Sequence, residues 1–197
     1  MNLEMGRAAG EHVQAAGSAE QPRRGDSKMR LTNFLVRDAI IPNLAASSTG
    51  VDPHDAAATA AIKQQVISEM VASLRSAGYF RDDDLSDIVR AVMRREQLGT
   101  TGIGHGIAIP HSRHPSVDRL IGTLALARDG LPFESLDGEP VYVFVLLVSP
   151  QERPGDHLRA LEAVVRTMRD EEFVRRLRSG KTREEIWNLL ETAAPGW

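Results

Sequence analysis

Residues 99–114 read Gly99-Thr100-Thr101-Gly102-Ile103-Gly104-His105-Gly106-Ile107-Ala108-Ile109-Pro110-His111-Ser112-Arg113-His114. Glycines at 99, 102, 104 and 106 let the backbone turn tightly and approach other groups closely, because no Cβ intervenes. Ile107-Ala108-Ile109 then has the form of a short buried strand, and Pro110 stops it, having no N–H to offer a ladder. His111 is thereby expected at a strand end, next to a loop rich in unshielded backbone N–H groups. A nucleophilic side chain beside an anion cradle would look like this.

The rest of the chain supplies the frame. A length of 197 residues suits one domain plus a tail, and 42% hydrophobic residues is ordinary for a globular protein. A net charge of −3 argues against nucleic-acid binding. No stretch is long and apolar enough to insert into a membrane, and the N-terminus lacks the order of a signal peptide, so a cytoplasmic location is expected. The absence of cysteine excludes disulfides, thiolate metal sites and cysteine nucleophiles. The six histidines are therefore the main candidates for covalent or metal chemistry.

Residues 1–28 have almost no large apolar side chains and are expected to be a disordered tail. The folded domain is then 29–197, with Met29 at its start. Residues 38–44 read as a short edge strand before Pro42, and 45–54 as a polar loop. A helix is expected over 55–77, with Ile62, Val66, Ile67, Met70, Val71 and Leu74 on one stripe and Gly78 past its end. A second helix is expected over 84–98, ended by Gly99, with Leu85, Ile88, Val89, Val92 and Met93 inward. Arg95 falls on that same stripe, where a guanidinium needs an anionic partner or a polar site.

Residues 120–127 read as a strand, and 141–148, apolar throughout, as a central strand covered on both faces. Asp129-Gly130 and Asp137-Gly138 are expected to be turns. Three helices follow. The first has Asp156 as N-cap and Leu158, Leu161, Val164, Val165 and Met168 inward; the second has Asp170 as N-cap and ends at Gly180; the third opens with a Thr182/Glu185 capping box. This order predicts an α/β fold: a single three-layer α/β/α domain with a mixed sheet between helical layers.

The glycines do not make a nucleotide loop. Gly102-x-Gly104-x-Gly106 lacks the dinucleotide spacing, no Gly-Lys-Ser/Thr follows, and a strand rather than a helix comes next. His157, just after an expected N-cap, would sit where helix N–H groups favour an anion and hold an imidazole neutral. Arg95 would add a fixed positive charge from a third element, although spacing alone does not bring the three together in space. A metal set from His105, His111 and His114 is the competing possibility, weakened by the intervening proline and glycines and by the lack of a nearby carboxylate.

Arg95-Glu96-Gln97-Leu98, Thr101-Gly102-Ile103-Gly104 and Gly106-Ile107-Ala108-Ile109-Pro110-His111 together resemble the active-site signature of phosphotransferase-system enzyme IIA domains of the fructose/mannitol class, which includes the nitrogen-regulatory enzyme IIA proteins. Asp137-Gly138-Glu139-Pro140 before an apolar strand and Asp156-His157-Leu158 also fit, and the resemblance spans about residues 29–192. It implies that His111 matches the phosphoryl acceptor, His157 the second family histidine and Arg95 the active-site arginine. Backbone N–H groups of Thr101, Gly102 and Gly104 are then expected to bind the phosphoryl oxygens.

The resemblance further implies an HPr-type phosphocarrier protein as donor and no metal or other cofactor. The onward partner would be either an enzyme IIB or a regulatory target protein. The Gly-Ile-Gly-x-Gly-Ile-Ala-Ile-Pro-His form leans toward the regulator; a sugar-specific enzyme IIA working with separate IIB and IIC chains is the alternative, and a non-phosphorylated interaction or metal-binding domain is a third reading. The chain departs from the family pattern at His105, at Ser112, in the longer 45–54 loop and in the N-terminal tail.

Overall fold

Val141–Ser149 (β5) is the strand on which every other layer rests. In this computed structural model, which describes residues 28–193, β5 runs parallel to Ile107–Ala108 (β2) and His111–Arg113 (β3) along one edge. Ile121–Leu131 (β4) pairs with it antiparallel along the other. Gly102–Gly104 (β1) pairs antiparallel with β2. Ala108 opposes Phe144 and His111 opposes Leu147, so β2 and β3 are two halves of one line in unbroken register. The break is at Pro110, which lacks the N–H but still accepts from the Leu147 N–H through its carbonyl at 3.0 Å.

Alternation along β5 splits the core. Phe144, Leu146 and Val148 face one layer, and Val143, Val145 and Leu147 face the other; all six are fully buried. The first layer is Ala56–Ser76 (α1) and Leu85–Gln97 (α2). The second is Pro154–Met168 (α3), Glu171–Ser179 (α4) and Arg183–Thr192 (α5). The three-layer α/β/α sandwich with a mixed sheet is thus present. The expected tail lies almost entirely outside the described residues.

The α1 stripe is buried as expected. Asp55 caps it by accepting from the Ala57 and Ala58 N–H groups, and Gly78 follows at φ +85° with its N–H on the Arg75 carbonyl. Asp170 likewise caps α4.

Several local expectations need correction. Residues 38–44 are not a strand: Arg37–Ala39 is a 3₁₀ turn, and the segment touches the sheet through a single bridge, Ile41 to Ala125, as Leu35 does to Gly122 just before it. Pro42, unable to donate, keeps Ile41 from extending into a ladder. Asp129-Gly130 is not a turn but lies inside β4, where the register shifts between Leu126 and Leu131 and Gly130 sits at φ +72° against the Tyr142 ring.

Asp156 is not the N-cap of α3. The helix starts three residues earlier than that cap implies, at Pro154, whose ring suits a first helical position, with Arg153 at the cap, and Asp156 pairs instead with Arg159. Leu158, expected inward, is 65% exposed and lies at the mouth of the cleft that His111 and His157 line. At α5 half of the capping box forms: Thr182 accepts from the Glu185 N–H at 3.1 Å, but the Glu185 carboxylate takes the Lys181 N–H at 2.7 Å.

Candidate functional site

His111 opens β3, so its backbone is held by β5 while its ring is free to face outward at the break that Pro110 makes. Its Nδ1 lies 2.7 Å from the Ile109 carbonyl. A carbonyl can only accept, so Nδ1 carries the proton and the lone pair is on Nε2. Burial lowers the His111 pKa below the usual 6.5; Arg95 pushes the same way, while the Ile109 carbonyl and Glu96 oppose.

His157 lies in the first turns of α3 and is 8% exposed. Its ring centroid is 5.3 Å from that of His111, with the planes at 55°. Its Nδ1 is 2.7 Å from Oγ of Ser149, the last residue of β5. Burial first, then the positive charge of His111 when protonated, Arg113 and Arg95, lower its pKa to about 4. Both imidazoles are therefore neutral at pH 7.

Arg95 completes the group. It is half-buried near the end of α2, where its Nη1 donates to the Gly99 carbonyl at 3.0 Å. The fully buried charge on this turn is instead its neighbour Glu96, 4% exposed. Arg95, His111 and His157 line one open cleft of about 760 Å³ together with Ser112, Arg113, Gln151 and Leu158. Two guanidiniums and two imidazoles with no carboxylate in the lining favour a compact dianion.

The glycine loop sits elsewhere. The Thr101 N–H donates to the Glu96 carboxylate at 3.1 Å, the Gly102 N–H to Thr100 Oγ1 at 3.1 Å, and the Gly104 N–H to Ser135 Oγ at 3.1 Å. None of the three residues lines the cleft of His111. The expected cradle from Thr101, Gly102 and Gly104 is thus corrected: these donors already have protein acceptors, and satisfied N–H groups have nothing left for an anion. The glycines serve close packing. A Cβ on Gly102 would come within 2.9 Å of the Ser135 backbone, and Gly104 and Gly106 have φ of +95° and +75°. Gly104 and His105 border a second cleft of about 570 Å³ against Arg169, Arg175 and Arg178.

Composition and spacing missed three features. Ser149, fully buried, closes the apolar run of β5 as its one aliphatic hydroxyl, and that change of character was the available signal. Lys63 lies three residues before Val66 and four before Ile67, hence on the α1 stripe. It is buried there, donating to Glu96 at 2.9 Å and Glu134 at 2.6 Å. Arg113 enters the cleft from β3 with no sequence signal beyond its proximity to His111. Of the other histidines, His105 is exposed at φ +55°, and His114 accepts from the Ser116 N–H. Among the described residues no three His, Cys, Asp or Glu side chains cluster as a metal site requires, and no helix is long and apolar enough to cross a membrane.

A three-layer domain with paired neutral imidazoles and a guanidinium at a strand break is compatible with a histidine phosphotransferase component, and the comparisons with known proteins show that class. Residues 55–193 match the family model of the phosphoenolpyruvate-dependent sugar phosphotransferase system, EIIA 2, and the chain belongs to that family. It is 30% identical over 162 residues to a nitrogen regulatory protein of Bradyrhizobium diazoefficiens, covering 82% of this chain and 95% of that protein. It is also 32% identical over 128 residues to the fructose-specific EIIABC component of Bacillus subtilis, covering 65% of this chain and 20% of that much longer protein. Among solved structures, the nitrogen regulatory protein IIA-Ntr of Neisseria meningitidis superposes with a TM-score of 0.66 at 25% identity, over 80% of this chain and 97% of that one.

Proposed function

We propose that this chain is a phosphocarrier of the nitrogen-regulatory type, accepting a phosphoryl group on Nε2 of His111 from an HPr-type phosphocarrier protein in the cytoplasm. The observation that carries this reading is the 2.7 Å contact between His111 Nδ1 and the Ile109 carbonyl, which leaves the Nε2 lone pair in a cleft beside Arg95 and His157.

In the transfer, Nε2 of His111 attacks phosphorus in line as the P–N bond to the donor histidine breaks. The donor ring, protonated on its other nitrogen, leaves as neutral imidazole. His111 becomes a phosphorylated imidazolium whose Nδ1–H still donates to the Ile109 carbonyl, so that carbonyl stabilises the product as well as orienting the reactant. Arg95, and His157 beside it, take the charge that spreads over the three phosphoryl oxygens. The group then passes to an enzyme IIB, or its presence sets binding to a regulatory target. The coverage of a nitrogen regulatory relative over nearly its whole length supports the regulator. The sugar-specific alternative draws support from the match to a fructose-specific component.

The domain reading of 29–197, with 1–28 as a dispensable tail, draws support from Met29, whose carbonyl accepts from Arg166 at 3.2 Å and whose side chain packs on the second core layer. A chain truncated to Met29 should fold and accept phosphate as the full chain does.

Incubation with phosphorylated HPr and mapping of the label tests the proposal. Label on His111, lost in His111→Ala, is the expected result; label elsewhere, or persisting in that variant, overturns it. Adding a IIB protein and following the label separates regulator from transport component.

A further inference from the structure

The cleft contains two histidines whose ring nitrogens are arranged differently. For His111 the partner of Nδ1 is a carbonyl, which settles the tautomer. For His157 the partner is the Ser149 hydroxyl, which can donate or accept. The surroundings of that hydroxyl decide between the two. Ser149 is fully buried, and its Oγ has no partner among the described residues other than His157 Nδ1. Were Nδ1–H the donor, the hydroxyl proton would be buried with no acceptor, at the full desolvation cost of an orphaned donor. With the hydroxyl as donor, every proton in the contact is placed. Nδ1 of His157 must then carry the lone pair and Nε2 the hydrogen.

We propose that Ser149 is a positioning residue that holds His157 as the Nε2–H tautomer, so that the cleft presents one bare nitrogen, Nε2 of His111, beside one N–H donor, Nε2 of His157. The ring angle between its two nitrogens turns Nε2–H away from the buried hydroxyl and toward the cleft, and it has no protein acceptor among the described residues. An incoming phosphoryl oxygen supplies the acceptor. Two chemically identical side chains, 5.3 Å apart, are thus given opposite roles by their Nδ1 partners, a carbonyl at one and a hydroxyl at the other. The part of Ser149 in transfer rests on the phosphoryl-acceptor reading of His111; the tautomer of His157 does not.

Long-range ¹⁵N–¹H correlation spectra of the full chain at neutral pH test the assignment directly. His157 should show the Nε2–H pattern and His111 the Nδ1–H pattern; an Nδ1–H pattern for His157 overturns the proposal whatever the transfer rates are. In Ser149→Ala the His157 Nδ1 resonance should move to the position of an imidazole nitrogen without a hydrogen bond. Transfer from phosphorylated HPr should slow about tenfold, the factor one neutral hydrogen bond carries, with His111 still the labelled residue. An unchanged rate in a folded Ser149→Ala overturns the positioning role. Should that variant not fold, Ser149→Cys, which keeps the bulk and a weaker donor, gives the second reading: a slower rate with label on His111 supports the role, and a wild-type rate together with a His157 Nδ1 resonance already at the position of an unbonded nitrogen ends it. Absence of label on His111 in the unaltered protein sinks the phosphocarrier reading and with it the part of Ser149 in transfer; the spectra still decide the tautomer of His157.

Discussion

His111 and His157 face each other across the cleft with ring centroids 5.3 Å apart, one held from the broken edge strand and the other from the first turns of α3. A phosphoryl group carried by the first, as proposed, would lie within reach of the second. Arg95, from the opposite helical layer, completes the surround.

Arg95→Lys keeps the charge but loses the planar fork that can hold two phosphoryl oxygens and the Gly99 carbonyl together. Phosphoryl transfer to His111 should fall by about ten- to a hundredfold, at or below the lower end for complete loss of an oriented stabilising donor, because the charge remains. The denaturation midpoint should hardly move, because Arg95 is only half-buried. Rapid-quench labelling with phosphorylated HPr measures the first, and urea titration the second.

The pH dependence of stability has a definite sign. His157 titrates near 4 in the folded protein against 6.5 in the open chain. Between those values the unfolded state binds more protons, so stability is complete above about pH 6.5 and declines as the pH falls toward 4. The lowered pKa of His111 acts in the same direction. Urea midpoints at pH 7.5 and pH 5 should differ by less in His157→Gln than in the unaltered protein.

The buried pair of Lys63 and Glu96 ties α1 to the turn leading into β1, since Glu96 also accepts from the Thr101 N–H. Lys63→Met leaves a buried carboxylate without its cation and should destabilise the fold by about 3 kcal/mol, the lower end for a broken buried pair because the Thr101 donors remain. A lowered urea midpoint with an unchanged m-value would register this.

Gly122 in β4 is a packing requirement. A Cβ there would stand 2.7 Å from the Leu146 carbonyl oxygen, a backbone atom that cannot rotate away, so Gly122→Ala should cost about 1–3 kcal/mol. Gly155, in α3, has open space around its missing Cβ. Gly155→Ala should instead gain about 0.4–1 kcal/mol by restricting the unfolded chain. Thermal unfolding of the two variants should shift in opposite directions.

Much of the layer order was legible in residue patterns, because each layer announces itself locally. The stripe of α1 repeats at helical spacing, and the unbroken apolar run of β5 can be accommodated only between two covered faces. Local chemistry misled where neighbours in space decide. Asp129-Gly130 has the composition of a turn, but Tyr142 packs on it from the next strand and holds it within β4. The glycines of 101–106 suggested an anion cradle, but the N–H groups of Thr101, Gly104 and His105 go to Glu96, Ser135 and Asp137 instead.

What the sequence determined by itself is the layered fold and the identity of its chemical groups: histidines at 111 and 157, an arginine at 95, and no thiol anywhere. Helical and strand periodicities are short-range properties, set within a few residues by the geometry of the backbone. Tertiary structure alone decided which groups meet and in what protonation state. The tautomer of an imidazole depends on the partner its Nδ1 finds, and for His157 that partner, Ser149, is delivered by the end of a different element.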